Sequence, residues 1–192
     1  MNILKNKVFR LLVFLYVLSI VIGISTYFFI DGSSINNCII NYIKSFNESF
    51  SYFNGFKNTI IFNFNFSFII WISGILLIGI IISPLILFLK GLGLGIAITS
   101  IIVNFGIKGL ILALITFISN VILYDVIFVL LCYYSINMSI RTFNIIKKNL
   151  SINIKSYYKN YFIRYAIFII LLILTSLFDI YVLSNLIKII II

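Results

Sequence analysis

The stretch Ile82-Ser-Pro-Leu-Ile-Leu-Phe-Leu-Lys-Gly-Leu-Gly-Leu-Gly95 contains the only proline of the chain, Pro84, then a lysine, Lys90, and three glycines that alternate with leucine. Long apolar segments flank it on both sides. Proline removes a backbone donor and ends or kinks a helix, and lysine favours the headgroup region of a bilayer. The stretch therefore predicts a cytoplasmic turn at which the chain leaves one membrane span and enters the next.

The glycines of this stretch predict a close helix contact. Gly91 and Gly95 are four residues apart, so they share one face of the helix that follows the turn. Such a pair lets a neighbouring backbone approach closely in a membrane bundle. We expect the pair to serve helix packing, with a ligand-facing role as the alternative.

The composition is that of a polytopic membrane protein. Of the 192 residues, 63% are hydrophobic and 9% are charged, whereas a soluble domain is about half apolar and about a quarter charged. The net charge of +10 comes from 14 basic and 4 acidic residues. Apolar spans divide the basic residues into clusters, so the expected anionic partner is the lipid headgroup and not nucleic acid.

Five segments are long and apolar enough to cross a hydrocarbon layer of about 30 Å, which takes about 20 helical residues. They predict an all-α bundle of about five transmembrane helices in a single integral membrane domain, residues 1–192. The predicted spans are 11–30, 60–82, 85–105 (or 91–105), 110–136, and 165 towards the C-terminus.

The distribution of basic residues predicts the orientation. With a cytoplasmic N-terminus, ten lysines and arginines face the cytoplasm and four face outside, which is the bias that membrane proteins show. The sequence thus predicts a multi-pass cell-membrane protein with its N-terminus inside and its C-terminus outside. The ten are Lys5, Lys7, Arg10, Lys90, Arg141, Lys147, Lys148, Lys155, Lys159 and Arg164, and the four are Lys44, Lys57, Lys108 and Lys188.

Two segments outside the predicted spans have an amphipathic pattern. Residues 31–58 form a predicted external loop in which apolar side chains recur every three or four residues from Ile35 to Phe53. This pattern is typical of a helix at the outer interface, with a partner-binding role as the alternative. Residues 137–164 carry six basic residues and no acid. We expect them to extend the fourth helix on the cytoplasmic side, against anionic lipid.

Polar side chains within the predicted spans are candidate site residues. The segment Asn63-Phe-Asn-Phe-Ser-Phe68 alternates with period two, but an isolated strand leaves its backbone unsatisfied in a bilayer, so we predict a helix. Asn63 and Ser67 then share a face and can bond to another helix. Asp125 needs a partner inside the membrane, and Lys90 is its nearest predicted cation.

The last span is too long for one straight helix across the bilayer. Residues 165–192 would extend about 42 Å at 1.5 Å per residue, against about 30 Å of hydrocarbon. We predict a bend or an end between Asp179 and Asn185, with 186–192 resting on the outer surface; one long, strongly tilted helix is the alternative. Lys108, in the predicted outer turn, is the expected partner of Asp179.

The residue types exclude most catalytic sites. The chain has no histidine, and its four acids are dispersed, so no metal-ligand spacing, paired carboxylates or activated nucleophile is present. Cys38 and Cys132 fall at different predicted depths, and we expect no disulfide. The sequence predicts no enzymatic activity, no cofactor and no metal.

The order of the spans and the quoted stretch resemble the stage II sporulation protein M family. The resemblance covers nearly the whole chain and is densest from Phe88-Leu-Lys-Gly91 to Gly95, at the turn Gly106 to Gly109, and at Leu177-Phe-Asp179, where the family tends to carry an acid in its last helix. The family usually has proline in its fourth span, where this chain reads Ile118-Ser-Asn-Val-Ile-Leu-Tyr-Asp-Val126. A family kink there is therefore not expected.

The resemblance implies a non-catalytic scaffold that anchors peptidoglycan-remodelling proteins, the D and P engulfment proteins, during engulfment of the forespore. A branch of the family occurs in organisms that do not sporulate, so the resemblance does not determine the process. Self-association stays open as an alternative. A transport subunit is the rival hypothesis, because the intramembrane acids Asp125 and Asp179 are of the kind that marks solute or ion pathways.

Overall fold

The computed structural model describes residues 6–29, 52–148, 154–179 and 181, and every element in these ranges is helical. The side chain of Asn6 begins the first helix by accepting a hydrogen bond from the backbone N–H of Val8 at 3.0 Å. The elements are α1 (Lys7–Tyr27), α2 (Tyr52–Ile75), α3 (Gly79–Ser119), a π-helical segment (Asn120–Asp125), α4 (Val126–Lys148) and α5 (Ile154–Phe178).

Within the described ranges, four helical runs are long and apolar enough to cross a membrane. Their outer faces expose large apolar side chains such as Phe14, Ile81 and Ile107, the last of which is 86% exposed. Such faces are an aggregation liability in water, whereas lipid chains cover them in a bilayer. The predicted all-α membrane class is confirmed, as is the helix at 63–68, which lies within α2. The four runs are Lys7–Tyr27, Phe56–Ile75, Gly79–Lys147 and Ser156–Phe178.

The longest run folds back on itself at Gly106. This residue has φ +57° and ψ −129°, a conformation open to glycine and strained for other residues. A Cβ placed on Gly109 would lie only 2.4 Å from the carbonyl oxygen of Ile101. In a straight helix, eight residues separate two positions by about 12 Å along the axis. The arms 79–105 and 107–119 therefore form a hairpin, and the part of the chain that the structure describes passes through the bundle five times.

Contacts along the helices give the direction of each pass. Ser83 donates to Ser135 Oγ at 2.8 Å, and Lys90 Nζ lies 3.5 Å from the ring centroid of Phe128. Seven residues forward in α3 thus correspond to seven residues backward in α4, so these helices are antiparallel. α1 runs parallel to the first arm of α3, because Ser19 faces Gly91 and Gly23 faces Gly95.

The turn between α2 and α3 lies earlier in the chain than the sequence predicts. It occupies residues 76–78, where Leu77 has φ +67°. Pro84 lies inside α3, and Lys90 is twelve residues beyond the turn, about 18 Å along the helix. The predicted turn from Pro84 to Lys90 at the headgroups is therefore wrong. Proline is tolerated inside a membrane helix because neighbouring helices can satisfy the freed backbone groups.

Helices α4 and α5 divide the predicted basic segment 137–164 between them. α4 continues to Lys148, as the extension of the fourth helix predicted, but Met138 and Ser139 are buried in the bundle. α5 begins at Ile154, earlier than the predicted start of the last span at 165. Only parts of the segment pack in the bundle, because no side chain from Ile140 to Lys147 is buried. The contact of that exposed stretch with lipid stays a prediction.

The bundle has one basic end, formed by the start of α1, the end of α4, the start of α5 and the turn at 76–78. The opposite end, near Gly106, carries Lys57 and Lys108. Lys90 lies between the two ends, so it no longer counts toward the cytoplasmic group, which falls from ten to nine. The described basic side chains at the basic end are Lys7, Arg10, Arg141, Lys147, Lys159 and Arg164.

Several predictions fall partly or wholly outside the described ranges. Residues 31–51 of the predicted external loop lie there, as does Cys38. Residues 52–58, by contrast, are the first turns of α2 and not loop. The predicted surface piece 186–192 also lies outside the described residues. At the predicted bend, α5 ends at Phe178 and Asp179 has π-helical geometry.

Candidate functional site: a polar cluster in the bundle centre

The contact between α1 and α3 is built from small residues. A Cβ on Gly95 would lie 2.3 Å from the carbonyl oxygen of Ile20, and one on Gly91 would lie 1.9 Å from Ser19 Oγ. Gly23 faces the same contact from α1, since its Cβ would lie 2.3 Å from the carbonyl oxygen of Leu92. The structure thus places Gly91 and Gly95 against another helix, at a distance that only residues without a Cβ permit.

The π-helical segment Asn120–Asp125 lies between the second arm of α3 and α4. π-helical turns are rare and occur frequently at functional sites. Here the segment ends in two adjacent polar residues, Tyr124 and Asp125, which are 3% and 5% exposed. Each bonds to a different neighbouring helix, so the segment connects α1 to the end of α5 through the centre of the bundle.

Asp125 accepts a short hydrogen bond on Oδ2 from the hydroxyl of Tyr16 in α1. A carboxylate inside a membrane is costly unless such a partner is present. Lys90 is near enough for its charge to act on Asp125, but no direct ion pair forms between them. The predicted Lys90–Asp125 pair is therefore wrong as a contact, because the tyrosine hydroxyl occupies the carboxylate.

Lys90 has two neutral partners. Its ammonium donates to Asn63 Oδ1 at 3.1 Å and lies 3.5 Å from the ring centroid of Phe128. The face of an aromatic ring attracts a cation, most strongly where water is excluded. Asn63 thus bonds to another helix, whereas Ser67 donates to the carbonyl of Phe64 in its own helix at 2.8 Å.

Asp179 is also held by hydroxyl groups. Ser119 donates to its Oδ1 at 2.9 Å and Tyr124 donates to its Oδ2 at 3.1 Å. Lys108 is exposed and makes no ion pair with Asp179. The predicted neutralisation of Asp179 by Lys108 is wrong, because the end of α3 and the π-helical segment each bring a hydroxyl donor to this carboxylate.

A cluster of buried serines joins α2, α3 and α4, and the sequence analysis missed it. Ser135 Oγ accepts from Ser83 and donates to the carbonyl of Ile70, both at 2.8 Å. Ser139 donates to the carbonyl of Gly74 at 3.1 Å. These bonds lie near the turn at 76–78, at the basic end of the bundle. The spacing of Ser135 and Ser139, four residues apart, is the signal that could have indicated the cluster.

The chemistry of the polar cluster is that of a support for the bundle. Among the residues described, no group of histidine, cysteine or acidic side chains could hold a metal ion. The carboxylates accept from hydroxyl groups, and the lysine is held by an amide oxygen and a ring. Interhelical hydrogen bonds of this kind connect membrane helices that have no hydrophobic drive to associate.

The fold and this cluster define the class: a multi-pass helical membrane protein with a polar centre. Comparison with known proteins adds no relative, because no family model, no curated protein and no solved structure matches the chain.

Proposed function

We propose that the chain is a non-catalytic membrane scaffold that anchors peptidoglycan-remodelling proteins at the cell surface. The observation that supports the scaffold is that each of three charged side chains inside the bundle makes a hydrogen bond to a different pass of the chain. Lys90 bonds to α2, Asp125 bonds to α1, and Asp179 bonds to the end of α3 and to the π-helical segment. Each of the three connects separate passes of the chain, as a rigid anchor requires.

The basic end of the bundle supports the proposed orientation. Six described lysines and arginines lie there, against Lys57 and Lys108 at the opposite end. Because basic residues concentrate on the cytoplasmic side, we place the basic end inside. The N-terminus is then cytoplasmic, and the hairpin at Gly106 faces the cell wall.

The nature of the partners rests on the resemblance to the stage II sporulation protein M family. In that family the membrane component works with the D and P proteins during engulfment. The external surface available to such partners includes the Gly106 hairpin. Residues 31–51 of the predicted external loop, which lie outside the described ranges, would supply more of it.

A transport subunit is the second candidate function. It is favoured by the position of Lys90 and Asp125, which lie together at mid-depth in the bundle. Intramembrane charges of this kind often mark an ion or solute pathway. If the protein is a transport subunit, Lys90 and Asp125 should be required for function even in a variant that folds. If it is a scaffold, they should be required only for the stability of the fold.

The test is purification of the tagged chain from membranes of its own cells, after mild cross-linking, with identification of the captured proteins by mass spectrometry. The scaffold predicts enrichment of peptidoglycan hydrolases over a control membrane protein of similar size. Recovery of an ATPase, with no hydrolase enriched, would contradict it and favour transport. A Lys90→Met variant serves as the second arm, since it should retain the hydrolases wherever it is stably produced.

A further inference from the structure

A cleft near the basic end, between α2, α4 and α5, is lined by Trp71 and Tyr165, whose side chains carry buried donors that lack acceptors. Within the described part of the chain, neither Trp71 Nε1 nor the Tyr165 hydroxyl has a hydrogen-bond partner, although both atoms are buried. Ser67 lies near the Tyr165 hydroxyl but outside hydrogen-bond geometry. An unsatisfied buried donor is unfavourable, so two in one place indicate that an acceptor binds there.

The aromatic rings hold the donors in position. Trp71 stacks on Tyr165 with ring centroids 4.7 Å apart, and Tyr161 lies parallel to it at 6.3 Å. Tyr161 also donates to the backbone carbonyl of Trp71 at 2.9 Å. Stacking thus fixes the plane of the Trp71 ring, and the hydrogen bond to its carbonyl fixes its backbone. The indole N–H therefore has a defined direction.

Arg164 supplies positive charge at the edge of the same cleft. Its guanidinium carbon lies 4.6 Å from the ring centroid of Tyr134, and the side chain is exposed. No acid within the described ranges forms an ion pair with it. A guanidinium carries five N–H donors and binds phosphate through two of them at once. The cleft therefore presents an aromatic floor, neutral donors and one arginine.

The size of the cleft limits what can enter. Its enclosed volume is about 10 Å³, which holds a single oxygen-sized group. A ligand can place one oxygen inside, near Trp71 and Tyr165, while the rest of it lies outside beside Arg164. A water molecule would also fit and could accept from both donors, so the comparison of two lipids below is designed to separate the two occupants.

We propose that this cleft binds the headgroup region of an anionic phospholipid, with an ester or phosphate oxygen on Trp71 and Tyr165 and the phosphate on Arg164. The depth is appropriate, because Trp71 lies one turn before the end of α2, and tryptophan and tyrosine concentrate at the headgroup level. Basic pockets between transmembrane helices on the cytoplasmic side suit anionic headgroups. This site goes beyond the anchoring function and does not depend on it.

The chain supplies its own reporter, because Trp71 is its only tryptophan. The protein is reconstituted in nanodiscs of phosphatidylcholine with a minor fraction of phosphatidylglycerol. In one sample the phosphatidylcholine carries bromine near the top of its acyl chains, and in the other sample the phosphatidylglycerol carries it. The total composition is the same in both arms. We expect quenching of Trp71, per brominated molecule, to be about fivefold greater from phosphatidylglycerol, which corresponds to about 1 kcal/mol for one arginine at an anionic surface.

Matched variants separate the cleft from the general charge of the basic end. Arg164→Gln should remove the preference, whereas Arg141→Gln, an equal charge change on α4, should keep it. Tyr165→Phe should reduce quenching by phosphatidylglycerol, and Tyr158→Phe should not. Equal quenching by the two lipids in the unaltered protein would overturn the proposal, as would equal effects of the two arginine variants. The comparison of the two lipids uses only the unaltered protein, so its result does not depend on whether a variant folds.

Discussion

Replacing Gly95 with alanine should destabilise the bundle, whereas the same replacement at Gly93 should not. A Cβ at Gly95 would lie 2.3 Å from the carbonyl oxygen of Ile20 and 3.0 Å from Gly23 Cα, and ordinary contact begins at 3.4 Å. The difference of 3.4 − 2.3 = 1.1 Å must come from separating two backbones, because the atoms that clash are not in movable side chains. A Cβ at Gly93 would meet nothing within 4 Å.

The magnitude combines two opposing effects. Overpacking a close contact costs about 1–3 kcal/mol, whereas alanine favours the helix over glycine by about 1 kcal/mol. Gly95→Ala should therefore be less stable than Gly93→Ala by about 1–3 kcal/mol, since both gain the same helix preference. The stability of Gly91→Ala should lie between those of the other two variants, because the new Cβ would meet the hydroxyl of Ser19. That hydroxyl can rotate away, but it then loses its hydrogen bond to the carbonyl of Tyr16.

The assay is thermal unfolding in detergent, with the fraction that remains monodisperse measured by size-exclusion chromatography after each temperature step. The glycine variants are produced and purified side by side with the unaltered chain. The order of midpoints should be Gly93→Ala highest, then Gly91→Ala, then Gly95→Ala. Equal midpoints for the variants at Gly93 and Gly95 would show that α1 does not pack on this face of α3, and the reasoning would fail.

Three further changes test other parts of the structure. Asp125→Asn should be tolerated better than Asp125→Leu by about 1–3 kcal/mol, because the amide oxygen still accepts the tyrosine hydroxyl; equal midpoints in the same assay would remove that bond from the account. Gly106→Ala should cost about 1–3 kcal/mol through backbone strain alone, whereas Gly93→Ala, also free of contacts, should cost nothing; a neutral Gly106→Ala would argue against the hairpin geometry. A single cysteine in place of Lys108 should react with an impermeant maleimide in intact protoplasts and one in place of Lys159 should not, in a chain whose native cysteines are replaced; the reverse pattern would invert the orientation.

The class of fold was predictable because the bilayer constrains it strongly. A polar stretch such as 63–68 has no alternative to a helix in lipid, so its period-two pattern could be overruled correctly. The five passes followed from segment lengths alone. The hairpin at Gly106 also lies where the sequence separates its third and fourth spans.

The positions of the turn and of the charged residues were less predictable. Pro84 indicated the end of a helix, because a proline inside a soluble helix is strongly unfavourable, but in a membrane bundle it is accommodated. Lys90 was then assigned to the headgroups, since no sequence pattern shows that Asn63 and the ring of Phe128 surround it. The pairing of lysines with aspartates was expected from charge alone.

The hydroxyl partners of the acids depend on tertiary geometry. Tyr16 and Asp125 are 109 residues apart in the chain, and nothing local to either indicates the contact. The π-helical segment that positions Tyr124 towards Asp179 contains no proline or glycine that would indicate an irregular helix. Such a segment arises from the packing of its neighbours, so it becomes visible only in the folded bundle.

The central claim, that the outer end of the bundle holds wall-remodelling enzymes, is tested most directly by site-specific photocross-linking in living cells. A photoreactive amino acid replaces Lys108 at the Gly106 hairpin or, as the matched control, Lys159 at the basic end; both side chains are exposed. The scaffold predicts cross-linked peptidoglycan hydrolases from position 108 and none from position 159. A cytoplasmic ATPase captured from position 159, with no hydrolase at 108, would contradict the claim.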